Sequence, residues 1–116
     1  MNNRKMPSKD AIRKYWADKI DLTKKNFDSK FEFIEEKDSC FSCGQLSNLQ
    51  RCHIKPKCEG GQDSVDNLHL LCPICHKDSE FLKDKTYWDW FYQRTCMDMF
   101  ISLANRKGFN IWSELY

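Results

Sequence analysis

Cys40-Phe41-Ser42-Cys43-Gly44 and Cys72-Pro73-Ile74-Cys75-His76, with 28 residues between Cys43 and Cys72, decide how this chain is read. Two Cys-x2-Cys pairs offer four thiolates, a set that suits a tetrahedral structural zinc with closed coordination. The two-residue spacer lets both sulfurs of a pair turn toward one ion, and Gly44 is at home in the tight knuckle this requires. Iron also accepts four thiolates, so zinc is inferred from ligand type. A four-cysteine zinc keeps no open position, which makes it a folding device and sends the search for chemistry elsewhere. The protein's three histidines, His53, His69 and His76, all fall between Cys40 and His76.

The totals agree with a metal-braced fold. A chain of 116 residues and 13.9 kDa buries a small core, and bound metal is a common support at that size. Seven cysteines would suggest disulfides in a secreted protein, but Met1-Asn2-Asn3-Arg4-Lys5-Met6-Pro7 has no apolar leader. The expectation is a reducing cytoplasm and thiolate chemistry. No run approaches the roughly 18 to 20 apolar residues of a membrane span, so a soluble protein is expected. The net charge of +2 is unevenly spread: residues 1–30 carry nine Lys/Arg against four Asp/Glu, and residues 31–39 carry four acids against one lysine. A basic N-terminal segment is compatible with docking to a phosphate backbone, or is simply a solvated helix face.

Residues 8–21 have the pattern of an amphipathic helix, with Ser8 as N-cap and Ile12, Tyr15, Trp16 and Ile20 on one face. Arg13, Lys14 and Lys19 lie off that stripe. Phe31 to Ile34 suggests a short extended segment, and Leu49–Ile54 and Val65–Leu71 two further strands joined by the turn-rich loop 55–64. Pro73 at a first helical position predicts a short helix carrying Cys75 and His76. Trp88, Phe91, Tyr92, Cys96, Met99, Phe100 and Leu103 keep helical spacing, which predicts one helix of roughly 20 residues capped by Gly108. The organisation expected is a basic helical arm over 1–30, a zinc-braced core over 31–82 and an aromatic helix over 83–116.

The ordered string Arg51-Cys52-His53-Ile54-Lys55-Pro56, Gly60-Gly61, Asn67-Leu68-His69-Leu70-Leu71-Cys72, Cys75-His76 resembles the HNH endonuclease family. The likeness spans 37 of the 116 residues, from Cys40 to His76. It implies an α+β fold, a small zinc-braced ββα-metal domain flanked by N-terminal and C-terminal helices. It further implies a second, catalytic divalent cation (Mg2+, Mn2+ or Ni2+) between hairpin and helix. By that resemblance His53 matches the general base that activates water for attack on a DNA phosphodiester. His76 matches the helix position that holds the catalytic cation, and Asn67 matches the middle Asn, whose amide pins the loop. The implied product carries a 5′-phosphate.

Cys52 departs from the pattern, because many family members place an acidic residue or histidine there as a metal ligand. A thiolate suits softer transition metals and not Mg2+. Either Cys52 packs away from the site, as the alternation of neighbouring strand residues suggests, or it is a metal ligand and changes the metal preferred.

Arg51, Lys55 and Lys57 are candidates for nucleic-acid contact. Asp66 is a second oxygen donor or a surface turn acid; His69 is a structural histidine or a phosphate or metal contact. Cys58 reads as a spare loop thiol and Cys96 as core. Trp16, Trp88, Trp90 and Trp112 suit core packing by their spacing, with base stacking as the alternative. The leading function is a metal-dependent endonuclease acting on DNA, duplex by expectation, without a membrane partner and as monomer or dimer. A non-catalytic zinc-stabilised nucleic-acid-binding module and an RNA-directed nuclease of the same chemistry are the alternatives.

Overall fold

The computed structural model describes residues 6–25 and 27–108. Its elements are α1 (Lys9–Trp16), α2 (Lys30–Glu35), β1 (Gln50–His53), β2 (Leu68–Leu71), α3 (Pro73–Ser79), α4 (Asp84–Gln93) and α5 (Cys96–Arg106). This is an α+β fold in which two antiparallel strands and α3 form the centre and the other helices wrap them. β1 pairs β2 in the register Gln50↔Leu71, Arg51↔Leu70, Cys52↔His69 and His53↔Leu68. Among the described residues no helix is long and apolar enough to cross a membrane.

Local chemistry sets several boundaries where the sequence places them. Ser8 caps α1 by accepting from the Ala11 amide at 3.1 Å. Pro73 opens α3, with the Cys72 sulfur accepting from the Cys75 amide at 3.4 Å. Gly108 takes a left-handed φ of +88° just after α5.

Three elements differ from expectation. Phe31 to Ile34 is helical, because Ser29 and Glu32 cap the segment: the Glu32 amide donates to Ser29 Oγ at 3.1 Å and the Asp28 amide to Glu32 Oε2 at 2.9 Å. A four-residue apolar pattern cannot separate a period of 2 from one of 3.6; the cap decides. The second strand starts at Leu68, since Val65–Asn67 forms a 3-10 turn that frees the Asn67 side chain for the loop. The expected helix of roughly 20 residues is two, broken at Arg94 and Thr95. Thr95 and Asp98 form a reciprocal capping box, Asp98 N to Thr95 Oγ1 at 3.1 Å and Thr95 N to Asp98 Oδ2 at 3.0 Å. Apolar spacing continues across the junction and conceals it.

One apolar core joins all of these elements. Ile12, Trp16 and Ile20 lie in the same cluster as Phe33, Phe41, Leu68, Leu70, Tyr87 and Phe91. The Trp16 indole donates to the Leu68 carbonyl at 2.7 Å, fixing α1 on β2. Trp88 stacks into this aromatic group and Trp90 packs at its margin; Trp112 lies outside the described residues.

His69 is fully buried, because Trp16 of α1 and Tyr87, Trp88 and Phe91 of α4 close over the face of β2 from which it projects. Its Nδ1 is 2.6 Å from the Tyr87 hydroxyl, and Nε2 meets only ring edges and faces, including those of Trp16 and Trp88. Burial pushes its pKa down to about 3, so the imidazole is neutral. Accepting the Tyr87 proton at Nδ1 leaves an N–H at Nε2, which aromatic faces tolerate better than a lone pair. His69 is therefore a core residue, away from phosphate and metal.

Arg13, off the apolar stripe of α1, is also buried at 2% exposure. Its guanidinium donates to Phe33 O at 2.8 Å and to Ser39 O at 2.6 Å, and lies 4.9 Å from the centres of both the Phe33 and Phe41 rings. Carbonyls and aromatic faces take the place of water around the charge. Replacing Arg13 by alanine leaves these buried carbonyls without donors and is expected to cost on the order of 3 kcal/mol, measured by urea unfolding of the zinc-loaded protein. Arg13→Lys, lacking the planar fork, restores less than half of the loss.

Candidate active site and metal centre

The knuckle at residues 40–44 is held to β2 by the Phe41 amide, which donates to Leu70 O at 2.9 Å, and closes by a bond from Gly44 N to Cys40 O at 3.0 Å. Gly44 adopts φ +81°, which L side chains rarely do. The start of α3 faces it with the second pair. The sulfurs of Cys40, Cys43, Cys72 and Cys75 all lie within 4.8 Å of one another and all four residues are buried. A tetrahedral zinc with bonds of about 2.3 Å needs sulfurs about 3.8 Å apart, and Cys43 and Cys72 are separated by 3.9 Å. The donor set and spacing fit a structural zinc.

Two cations lie close to the sulfurs. Lys25 donates to Phe91 O at 2.5 Å and Arg94 O at 2.9 Å; burial lowers its pKa to about 8 against the opposing pull of the Cys40, Cys75 and Cys43 charges. Arg94 bonds the Cys75 sulfur and pairs with Asp78 at 2.5 Å, and these contacts outweigh the desolvation that would lower its pKa. A four-thiolate zinc carries a net charge of −2, which these two partly buried side chains offset.

A separate cavity of about 170 Å³ opens between the end of β1 and α3. His53, Lys57, His76 and Glu80 line it, with Cys52 and Tyr87 in its wall. His53 Nε2 is 2.7 Å from Asp63 Oδ1, and the other Asp63 oxygen accepts from Lys57 at 2.8 Å. A carboxylate only accepts, so Nε2 carries the proton and Nδ1 presents a lone pair. His76 has the opposite arrangement: Nδ1 is 2.6 Å from Gln50 Oε1, an acceptor, which leaves Nε2 as the free lone pair. Burial, then the nearby His53, holds the His76 pKa below its ordinary value, while Glu80 pulls the other way. The ring is thus neutral and able to ligate.

Asn67 spans the loop with three bonds. Its Oδ1 accepts from Lys55 N at 2.8 Å, and its Nδ2 donates to Lys55 O at 3.1 Å and to Gln62 O at 3.0 Å. The fit depends on Gly61, where an added Cβ would sit 1.9 Å from Lys55 O and 2.9 Å from Asn67 Nδ2. Cys52 is 4% exposed and its thiol donates to Gln50 O at 3.4 Å. Its pKa is pushed up, mainly by burial. Arg51 Nε is engaged by Pro7 O at 2.9 Å; Lys55 and Lys57 are exposed at the loop. Asp66 is an exposed turn acid that accepts from Ser64 Oγ. Cys58 is exposed, and Cys96 accepts from Gln45 Nε2 at 2.8 Å.

Gln50 and Asp63 escaped the sequence reading, although they orient both site histidines. Gln50 lies three residues before His53 in the same strand, and Asp63 follows the glycine pair, positions that local patterns do not mark. A larger groove of about 660 Å³ between α3, α4 and α5 holds Asp78 paired with both Arg94 and Arg106, with no histidine among its lining residues.

Residues 40–80 match the family model described as HNH endonuclease. No curated protein and no solved structure matches the chain. The matched segment contains the four-cysteine cluster, both strands, α3 and the cavity between them.

Removal of the structural metal with a strong chelator at neutral pH is expected to unfold the chain, read as loss of near-UV circular dichroism from the aromatic core; Cys43→Ser has the same effect. Gly61→Ala is expected to displace the 55–64 loop without loss of zinc, visible as a changed Asn67 side-chain amide signal in the NMR spectrum beside an unchanged zinc content.

Proposed function

With residues 40–80 assigned to the HNH endonuclease family, we propose that the chain is a metal-dependent endonuclease that hydrolyses phosphodiester bonds of duplex DNA, acting in the cytoplasm, where its thiols stay reduced. The observation that carries this reading is the pair of histidines on one cavity with complementary free nitrogens, Nδ1 of His53 and Nε2 of His76. A non-catalytic zinc module has no use for that arrangement.

His53 Nδ1 takes a proton from water as the water attacks phosphorus, and Asp63 holds the ring and favours the imidazolium that results. Asn67 keeps the loop after His53 closed, so the base does not drift from the phosphate. Lys55 and Lys57 meet the phosphate backbone beside the cavity, and Arg51 offers its terminal nitrogens at the outer edge of β1. The residues present fit a catalytic divalent cation, because His76 Nε2 faces the cavity with its other nitrogen bonded to Gln50. When bound there, such a cation (Mg2+, Mn2+ or Ni2+) supplies charge neutralisation for the phosphate and the departing 3′ oxygen. Gln50 positions His76, and a carboxamide in that role fixes the ring without adding charge.

Supercoiled plasmid incubated with zinc-loaded protein and Mg2+, Mn2+ or Ni2+ is expected to be nicked with at least one of these metals. His53→Ala should lower the rate by roughly 10² to 10⁴. Asp63→Ala, which removes one charged hydrogen bond of about 1.5 to 3 kcal/mol, should lower it by roughly ten- to a hundredfold. Absence of nicking with every metal, or equal nicking by His53→Ala, would overturn the proposal. Faster cleavage of single-stranded RNA than of duplex DNA would reassign the substrate and keep the chemistry.

A further inference from the structure

We propose that Glu80, at the end of α3, supplies the carboxylate oxygen that holds the catalytic cation with His76, so that this chain draws its oxygen donor from the helix instead of from β1. The inference rests on the nuclease reading above. Four observations lead to it.

First, Glu80 and His76 line the same cavity as His53. They are four residues apart, and the backbone at Glu80 keeps helical angles, φ −63° and ψ −22°, so both side chains leave α3 on one side, a turn apart. Second, Glu80 is the only carboxylate among the residues that line this cavity. A carboxylate on the wall that carries His76 is placed to share a cation with it. Third, the strand residue before His53 is Cys52, which has no oxygen. Its thiol is bonded to Gln50 O, and its ladder partner is His69, within the aromatic core. Fourth, Lys57, the lysine that lines the same cavity, is engaged elsewhere, since it pairs with Asp63 at 2.8 Å.

Hard cations such as Mg2+ and Mn2+ take oxygen ligands in preference to imidazole alone. A site with His76 and no carboxylate would hold them weakly. Glu80 corrects that deficiency, and its exposure lets it reach the ion without rearrangement of the core.

The test is a titration of Mn2+ into zinc-loaded protein without DNA, followed by the electron paramagnetic resonance signal of free Mn2+, with zinc content measured for each variant. Mn2+ does not displace zinc from four thiolates, so the readout reports the cavity. Glu80→Gln, nearly isosteric at an exposed position, is expected to weaken Mn2+ binding by roughly tenfold or more. His76→Ala should do the same. Plasmid nicking by Glu80→Gln should be recovered by raising Mn2+. Glu80→His, which replaces oxygen with nitrogen, should leave Mn2+ binding weak and preserve Ni2+ binding. Undiminished Mn2+ affinity in Glu80→Gln, with loss in His76→Ala, would overturn the Glu80 assignment and leave the nuclease reading standing. Failure of the unmodified protein to bind Mn2+ would overturn the Glu80 assignment, and only absence of nicking with every metal would overturn the nuclease reading as well.

Discussion

Four sulfurs within 4.8 Å of one another are the constraint on which the rest of the molecule depends. They join the knuckle at 40–43 to the first turn of α3, and the Phe41 amide ties that knuckle to β2. The direction in which α3 leaves the hairpin is thereby set, and with it the meeting of His53 and His76. A chain of this length has few other means of holding a strand end against a helix, since a two-stranded hairpin is marginal alone. The charge of the centre reaches further out. Lys25, in the segment between α1 and α2, and Arg94, at the break between α4 and α5, are both drawn to the thiolates. The same centre that orients the hairpin and α3 thus draws in the flanking segments.

Above this frame, two polar side chains decide what the histidines can do. Imidazole offers two nitrogens, and which one is free depends on the partner of the other. Asp63 takes Nε2 of His53, and Gln50 takes Nδ1 of His76. The first leaves Nδ1 of His53 for the role of base proposed above, with a carboxylate behind the ring; the second leaves Nε2 of His76 for the proposed ligand role. Exchange of these partners between the rings would put a carboxylate on the ligand and an amide on the base, with weaker proton transfer as the consequence.

The aromatic core protects this arrangement. Trp16, Phe41, Tyr87, Trp88 and Phe91 surround His69 and exclude water from the back of the hairpin. Cys52 stands between that core and the cavity, which explains why a small thiol fits the position. An acid there would have to ionise beside buried sulfurs, against the charge of the zinc centre.

What the sequence alone determined was everything carried by short-range spacing: the two cysteine pairs whose sulfurs converge in a set that fits zinc, the Ser8 cap, Pro73 at the start of α3, the first strand near its observed limits, and the resemblance that singled out His53, Asn67 and His76. These signals act over a few residues, and they also bring the family match over residues 40–80. The tertiary structure decided the rest. Arg13 is buried because carbonyls of α2 and of the turn before the knuckle accept from it, and a backbone carbonyl leaves no trace in a side-chain pattern. His69 is inside because α1 and α4 together close over the face of β2 from which it projects, whereas alternation along a strand assumes one open face. Gln50, Asp63 and Glu80 acquire their roles from approach in space across 26, 10 and 4 positions of the chain. The first two partners lie in separate segments of the chain, and the third gains meaning only because Glu80, just past the end of α3, keeps helical backbone angles.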